Sequence, residues 1–151
     1  PKKIIKKGDP YQYQIEISAQ AIAKKTGLSR SSWVICYQSR VGPLEWIGPS
    51  TDSVLEDAGK ENREVVLLPI AFVSEHSETL VELDIEYEEL ALESGVKSYH
   101  RVPAVSCHPS FISGLGELVL QSFDNREPVC AKLGNKLCRE DHLLCPMVLR
   151  G

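Results

Sequence analysis

Apolar and polar positions along this chain fall into two alternating periods, and their order predicts a layered α/β fold. From Ile15 to Ala23 they mix with helical spacing, and Lys24-Lys25-Thr26-Gly27 supplies the basic last turn and glycine stop of a helix. Trp33-Val34-Ile35-Cys36-Tyr37 is a short, nearly continuous apolar run rich in β-branched and aromatic residues, as in a buried strand. A loop over residues 39–49 leads to Ser50-Thr51-Asp52, whose side chains can cap a second helix ending near Lys60. Val65 to Phe72 carries the strongest strand pattern, although Pro69 cannot donate to a central ladder. A third helix follows to near Gly95, then a strand over Tyr99–Val102. A fourth helix covers Pro109–Ser122, which Ser110-x-x-Ser113 would start.

Helix and strand in strict alternation describe a parallel sheet sandwiched by helices. Ligands of such sheets bind beyond the carboxyl ends of the strands. The loop of residues 39–49 and the segment Ser74–Glu78 both emerge at that edge.

The third helix carries the candidate chemistry. Glu75, Glu78, Glu82, Glu86 and Glu89 follow one another at helical steps and share a face, with His76 at their head. Leu80, Leu83, Tyr87 and Leu90 form the stripe that would pack on the core. Spacing alone makes the acids an ordinary solvated face, because a helix dipole favours carboxylates near its start by about 0.3 to 1 kcal/mol each, and Ser74 can cap it. In a regular helix His76 and Glu78 lie about 200° apart, so they converge on one ion only if the helix start is distorted. Such distortions, π-bulges included, are frequent at functional sites.

Composition narrows the classes. At 151 residues and 42% hydrophobic, the chain can bury one core. The net charge of -4 argues against a nucleic-acid binder held by phosphate contacts. The basic cluster of Lys2, Lys3, Lys6 and Lys7 reads as a solvated segment, with an anionic ligand or membrane surface as the lesser reading. No apolar run reaches the roughly 18 to 20 residues that cross a bilayer, so a soluble, intracellular protein is the expectation. Because the chain opens on Pro1 rather than Met, a fragment or processed chain is expected, with upstream residues completing the site. Residues 125–151 break the rhythm and hold Cys130, Cys138 and Cys145, a spacing more in keeping with metal-linked or reduced thiols than with disulfides. His142 between the last two keeps zinc open, and Cys36 reads as a strand-core residue.

Two runs carry a resemblance. Ser74-x-His76-x-Glu78-Thr79-Leu80-x-Glu82-Leu83-Asp84-Ile85-Glu86-Tyr87, with Gln38-Ser39-Arg40-Val41-Gly42-Pro43-Leu44-x-Trp46-Ile47-Gly48-Pro49-x-Thr51-Asp52 upstream, is similar to the ferrochelatases, which insert ferrous iron into protoporphyrin IX. Gly8-Asp9-Pro10-Tyr11 and Pro109-x-Phe111 match that family in the right order. The resemblance covers residues 1 to about 122 and corresponds to the C-terminal half of the enzyme. It implies the second of two Rossmann-like chelatase domains, over residues 1–124, followed by a Cys-containing tail over 125–151. The partner half and its histidine would lie upstream.

The same resemblance assigns roles. Glu78 would be the metal-binding or proton-accepting carboxylate facing the macrocycle, supported by His76. Glu75, Glu82 and Glu86 resemble a row of acids on an unwound π-helix that passes metal or protons. A carboxylate beside a histidine suits ferrous ion, and a carboxylate can be tuned to accept protons. Trp46 falls where the family lines its porphyrin cleft; by itself it is equally a core or lid tryptophan. Ser39 and Arg40 sit at that rim, where Arg40 could pair with a propionate or simply be a surface arginine. Glu117 stands where the family usually shows aspartate, and reads as a solvated helix residue. Some ferrochelatases hold a [2Fe-2S] cluster on C-terminal cysteines, which would draw on Cys130, Cys138 and Cys145, with Cys107 the nearest candidate for a fourth ligand. The resemblance further implies a cytoplasmic enzyme of bacterial type, with peripheral membrane contact open. Two other readings stay in view: a related chelatase that puts cobalt or nickel into another tetrapyrrole, and a metal- or haem-binding module without turnover.

Overall fold

The computed structural model describes residues 1–38, 42–124 and 137–147. A short helix α1 (Lys2–Ile5) precedes α2 (Tyr11–Thr26), and α3 (Thr51–Lys60) leads into β1 (Glu64–Leu67). A nine-residue π-helix (Glu78–Glu86) runs on into α4 (Tyr87–Glu93), followed by β2 (Ser98–Arg101) and α5 (Pro109–Asp124). The strands pair in parallel with Val65 opposite Tyr99 and Leu67 opposite Arg101.

Local chemistry explains the ends that match expectation. Gly27 adopts φ +73 after α2, and the Leu28 amide returns to the Ala23 carbonyl at 2.9 Å. Ser50 caps α3, its hydroxyl accepting the Ser53 amide at 3.3 Å. Lys3, Lys6 and Lys7 of the N-terminal basic cluster are exposed, while Lys2 in α1 donates its amide to the Glu45 carbonyl at 2.8 Å. Lys2 also pairs with the Glu45 carboxylate at 2.7 Å, tying α1 to the loop that carries Trp46. At the start of α5 the capping acceptor is His108 Nδ1, 3.3 Å from the Ser110 amide, rather than the expected serine pair.

The sheet is smaller than the pattern predicts. Among the described residues Trp33–Tyr37 makes only an isolated parallel bridge, Tyr37 to Ser50. Its apolar run meets neither strand edge, so hydrophobicity alone does not make it part of the ladder. β1 stops at Leu67, two residues short of Pro69, which has no amide to continue the pairing.

The core lies on one face of this pair of strands. Leu55 of α3, Leu83 of the π-helix, Tyr87 and Ala91 of α4, Val96, and Tyr99 of β2 are buried together, with Val65, Leu67 and Phe72 packed against them. On the opposite face Val66 is 68% exposed. Helices α3 and α4 cross where Gly59 meets Ser94: a Cβ at Gly59 would lie 2.2 Å from the Ser94 carbonyl oxygen. Gly59→Ala is therefore expected to force the helices apart at a cost of about 1 to 3 kcal/mol, checked as a lowered Tm of the full-length protein.

Residues 137–147 fold back on the start of α2. The Leu144 amide donates to the Gly8 carbonyl at 3.0 Å, the His142 ring lies 4.9 Å from that of Tyr13, and Cys145 is 3% exposed. Gly8, at φ +94, is required there because a Cβ would fall 2.6 Å from the Leu143 amide nitrogen. Among the described residues no helix is long and apolar enough to cross a membrane.

Candidate functional site

The helix start is distorted, as convergence of His76 and Glu78 on one ion would require. The helix that follows β1 opens as a π-helix, with bonding from i to i+5 instead of i to i+4. The wider turn changes which residues face the core. Thr79, Leu83, Tyr87 and Ala91 are the buried row, whereas Leu80, predicted inside, is 49% exposed. A stripe laid out on 3.6 residues per turn does not carry over to a π-helix.

His76 lies just before this element and is held by it. The Thr79 hydroxyl accepts the His76 amide at 2.8 Å and donates to the His76 carbonyl at 2.9 Å, which satisfies a polar side chain that is fully buried. The imidazole Nδ1 accepts the Glu78 amide at 3.2 Å, and the ring meets Phe72 edge-on at 4.5 Å. With Nδ1 accepting, the neutral ring carries its proton on Nε2, which is a donor in this tautomer. Glu78 itself is exposed.

The other acids sit in different surroundings. Glu75 Oε1 accepts Arg101 Nη1 at 2.7 Å and the Ala104 amide at 2.8 Å, and these donors hold its carboxyl down at about 2. Arg101 also grips Asp84 through both Nε and Nη2. Glu82 is half-buried, with Oε1 accepting the Tyr87 hydroxyl at 3.1 Å and Oε2 accepting Gln38 Nε2 at 3.2 Å. Burial, then the nearby Glu82 charge, push the Tyr87 phenol up. Residues five apart stand about 140° apart on an ordinary α-helix, so the Tyr87–Glu82 bond depends on the π-turn. Glu86 and Glu82 face Asp52, Tyr37, Gln38, Ser50 and Tyr87 across a polar cavity of about 270 Å³. Burial, followed by Glu16, pushes Tyr37 up to about 12.

Among the described residues no three His, Cys, Asp or Glu side chains gather closely enough to enclose a metal ion. Glu78, Glu82 and Glu86 follow one another along the π-helix. Trp46 is half-buried on the loop tied to α1, with its indole nitrogen buried and lacking a hydrogen-bond partner among the described residues. Ser39, Arg40 and Cys130 lie outside the described residues. Cys107 is exposed beyond β2, Cys138 accepts Gln14 Nε2 at 3.9 Å, and Cys145 is buried against the start of the chain. These three cysteines do not gather, and so do not by themselves fit a [2Fe-2S] cluster. Glu117 lies exposed on α5. Sequence reasoning missed Arg101 and Tyr99; the signal was their two-residue spacing in β2, which sets both side chains on one sheet face.

A parallel α/β domain with a row of carboxylates on a π-helix and a histidine just before it defines the class of protein. The comparisons make this specific. The ferrochelatase family model matches residues 1–123. The chain is 53% identical to the ferrochelatase of Pelagibacter ubique over 121 residues, 80% of this chain and 35% of that one. It is 49% identical to the Caulobacter vibrioides ferrochelatase over 146 residues, covering 97% of this chain and 42% of the relative. With the Rickettsia bellii ferrochelatase it shares 41% identity over 148 residues, again 42% of the relative. The chain belongs to the ferrochelatase family, and it spans about two-fifths of the length of these curated relatives.

Proposed function

We propose that the full-length protein containing this chain inserts ferrous iron into protoporphyrin IX, a lyase reaction that yields protohaem in the last step of haem synthesis. The observation that carries this reading is the π-helix beginning at Glu78, with His76 bonded to its first turn. Residues 1–124 would serve as the C-terminal chelatase domain and residues 125–151 as a tail. The porphyrin would lie in a cleft whose second wall belongs to the N-terminal half of the enzyme.

Metallation replaces two pyrrole N–H protons with one divalent iron, so the site must take up protons and deliver a cation. Glu78 would accept a proton or hold iron next to the macrocycle, with His76 supporting it as an Nε2–H donor. Glu82 and Glu86, with Asp52 across the polar cavity, would form the supporting track for iron or protons. Trp46 would provide a flat apolar platform for the macrocycle, and Ser39 and Arg40 would meet a propionate at the rim. The cysteines have no part in this mechanism. A cytoplasmic location, with peripheral membrane contact where the porphyrin is delivered, accords with this reading.

The test is a panel of divalent metals against tetrapyrroles, run on the full-length enzyme. Ferrous iron with protoporphyrin IX is expected to turn over fastest. Preference for cobalt or nickel with a different tetrapyrrole would favour the related chelatase, and binding without turnover would favour a non-catalytic module. An absorption spectrum of the purified protein reports any [2Fe-2S] centre directly.

A further inference from the structure

Strand β2 supports the π-helix through alternate residues. The Tyr99 hydroxyl donates to the Leu83 carbonyl at 2.7 Å, in the middle of the π-helix. Two residues on and on the same sheet face, Arg101 takes hold of two carboxylates at once: Asp84 through Nε and through Nη2 at 2.5 Å, and Glu75 through Nη1 at 2.7 Å. The guanidinium is 10% exposed and the carboxylates about one-third exposed, at 32% for Glu75 and 33% for Asp84. Glu75 Oε1 is further occupied by the Ala104 amide at 2.8 Å. One planar fork therefore bridges a residue just before the π-helix and another inside its last turn, a geometry that a lysine ammonium cannot reproduce.

Long π-helices are uncommon because the i to i+5 pattern appears mostly as single-turn bulges. This one runs for nine residues and has two external supports in β2, Tyr99 and Arg101. Glu75 and Asp84 bracket His76 and Glu78 in the chain, so anchoring both to Arg101 fixes the backbone that carries the two site residues.

We propose that Arg101 is a positioning residue of the metal-insertion site: by holding Glu75 and Asp84 it keeps His76 and Glu78 aimed at the macrocycle, and Glu75 belongs to this brace rather than to the metal path. The inference rests on the iron-insertion reading above. It assigns the first acid of the row to the scaffold, because Glu75 Oε1 already accepts two donors.

The experiment measures kcat, the KM for ferrous iron, the KM for protoporphyrin and the Tm of the full-length enzyme for Arg101→Lys, Glu75→Gln and the double variant. Arg101→Lys is expected to lower kcat roughly 10- to 100-fold, the scale of a small misplacement at a reacting site, with both KM values within about twofold. Glu75→Gln should lower kcat without raising the KM for iron, and the double variant should be no slower than Arg101→Lys alone, as members of one unit behave. Unchanged kcat in a folded Arg101→Lys enzyme overturns the brace, and a raised iron KM in Glu75→Gln returns that residue to the metal path. Should Arg101→Lys fail to fold, the kcat and KM split of Glu75→Gln decides the matter. A wild-type enzyme that inserts no metal overturns the functional reading and the brace together, whereas wild-type insertion with unaltered variants overturns the brace alone.

Discussion

Replacing Glu78 with glutamine in the full-length enzyme is expected to reduce iron insertion by about 10²- to 10⁴-fold, the range supplied by a positioned proton acceptor. Glutamine keeps the size of the side chain but can neither carry negative charge nor accept a pyrrole proton. The contact between the Glu78 amide and His76 Nδ1 is made by the backbone and survives the substitution. Because Glu78 is exposed, its Tm should stay close to that of the wild type. Stopped-assay rates, a porphyrin KM and a thermal melt on the same preparation separate these effects. Normal insertion by the variant would remove Glu78 from the mechanism.

Leu83→Ala should produce the largest loss of stability, about 2 to 5 kcal/mol, seen as a Tm lower by roughly 4 to 20 °C. Leu83 is 0% exposed and stands in the middle of the π-helix, packed with Leu55, Tyr87, Ala91, Val96 and Tyr99. Its removal leaves a cavity between the π-helix and β2, and the Tyr99 bond to the Leu83 carbonyl cannot fill that space. The neighbouring Ile85→Ala is the control, since Ile85 is 51% exposed and should cost far less. Equal losses from the two substitutions would mean that the packing described for Leu83 does not hold the domain together.

Elements whose ends are set by neighbouring residues were legible in the sequence. Gly27 ends α2 and Ser50 caps α3, each through a bond spanning only a few residues. The strand expected over Trp33–Tyr37 was not legible, because strand pairing depends on an edge far along the chain and only Tyr37 finds one. The buried face of the third helix was misread for a different reason. A period of 3.6 places Leu80 inside, while the wider turns bury Thr79 and leave Leu80 outside. At the site, His76 and Glu78 stood out through the run that surrounds them. Arg101 did not, since its partners lie 17 and 26 residues earlier and nothing local marks a strand arginine as a brace.

The bond between Tyr87 and Glu82 makes this helix its own gauge of pitch. The two side chains meet across five positions only while the turn stays wide, and the phenol is held up by burial and by the carboxylate beside it. Were the segment to wind to ordinary pitch during a catalytic cycle, the pair would part and the phenol would lose its carboxylate acceptor.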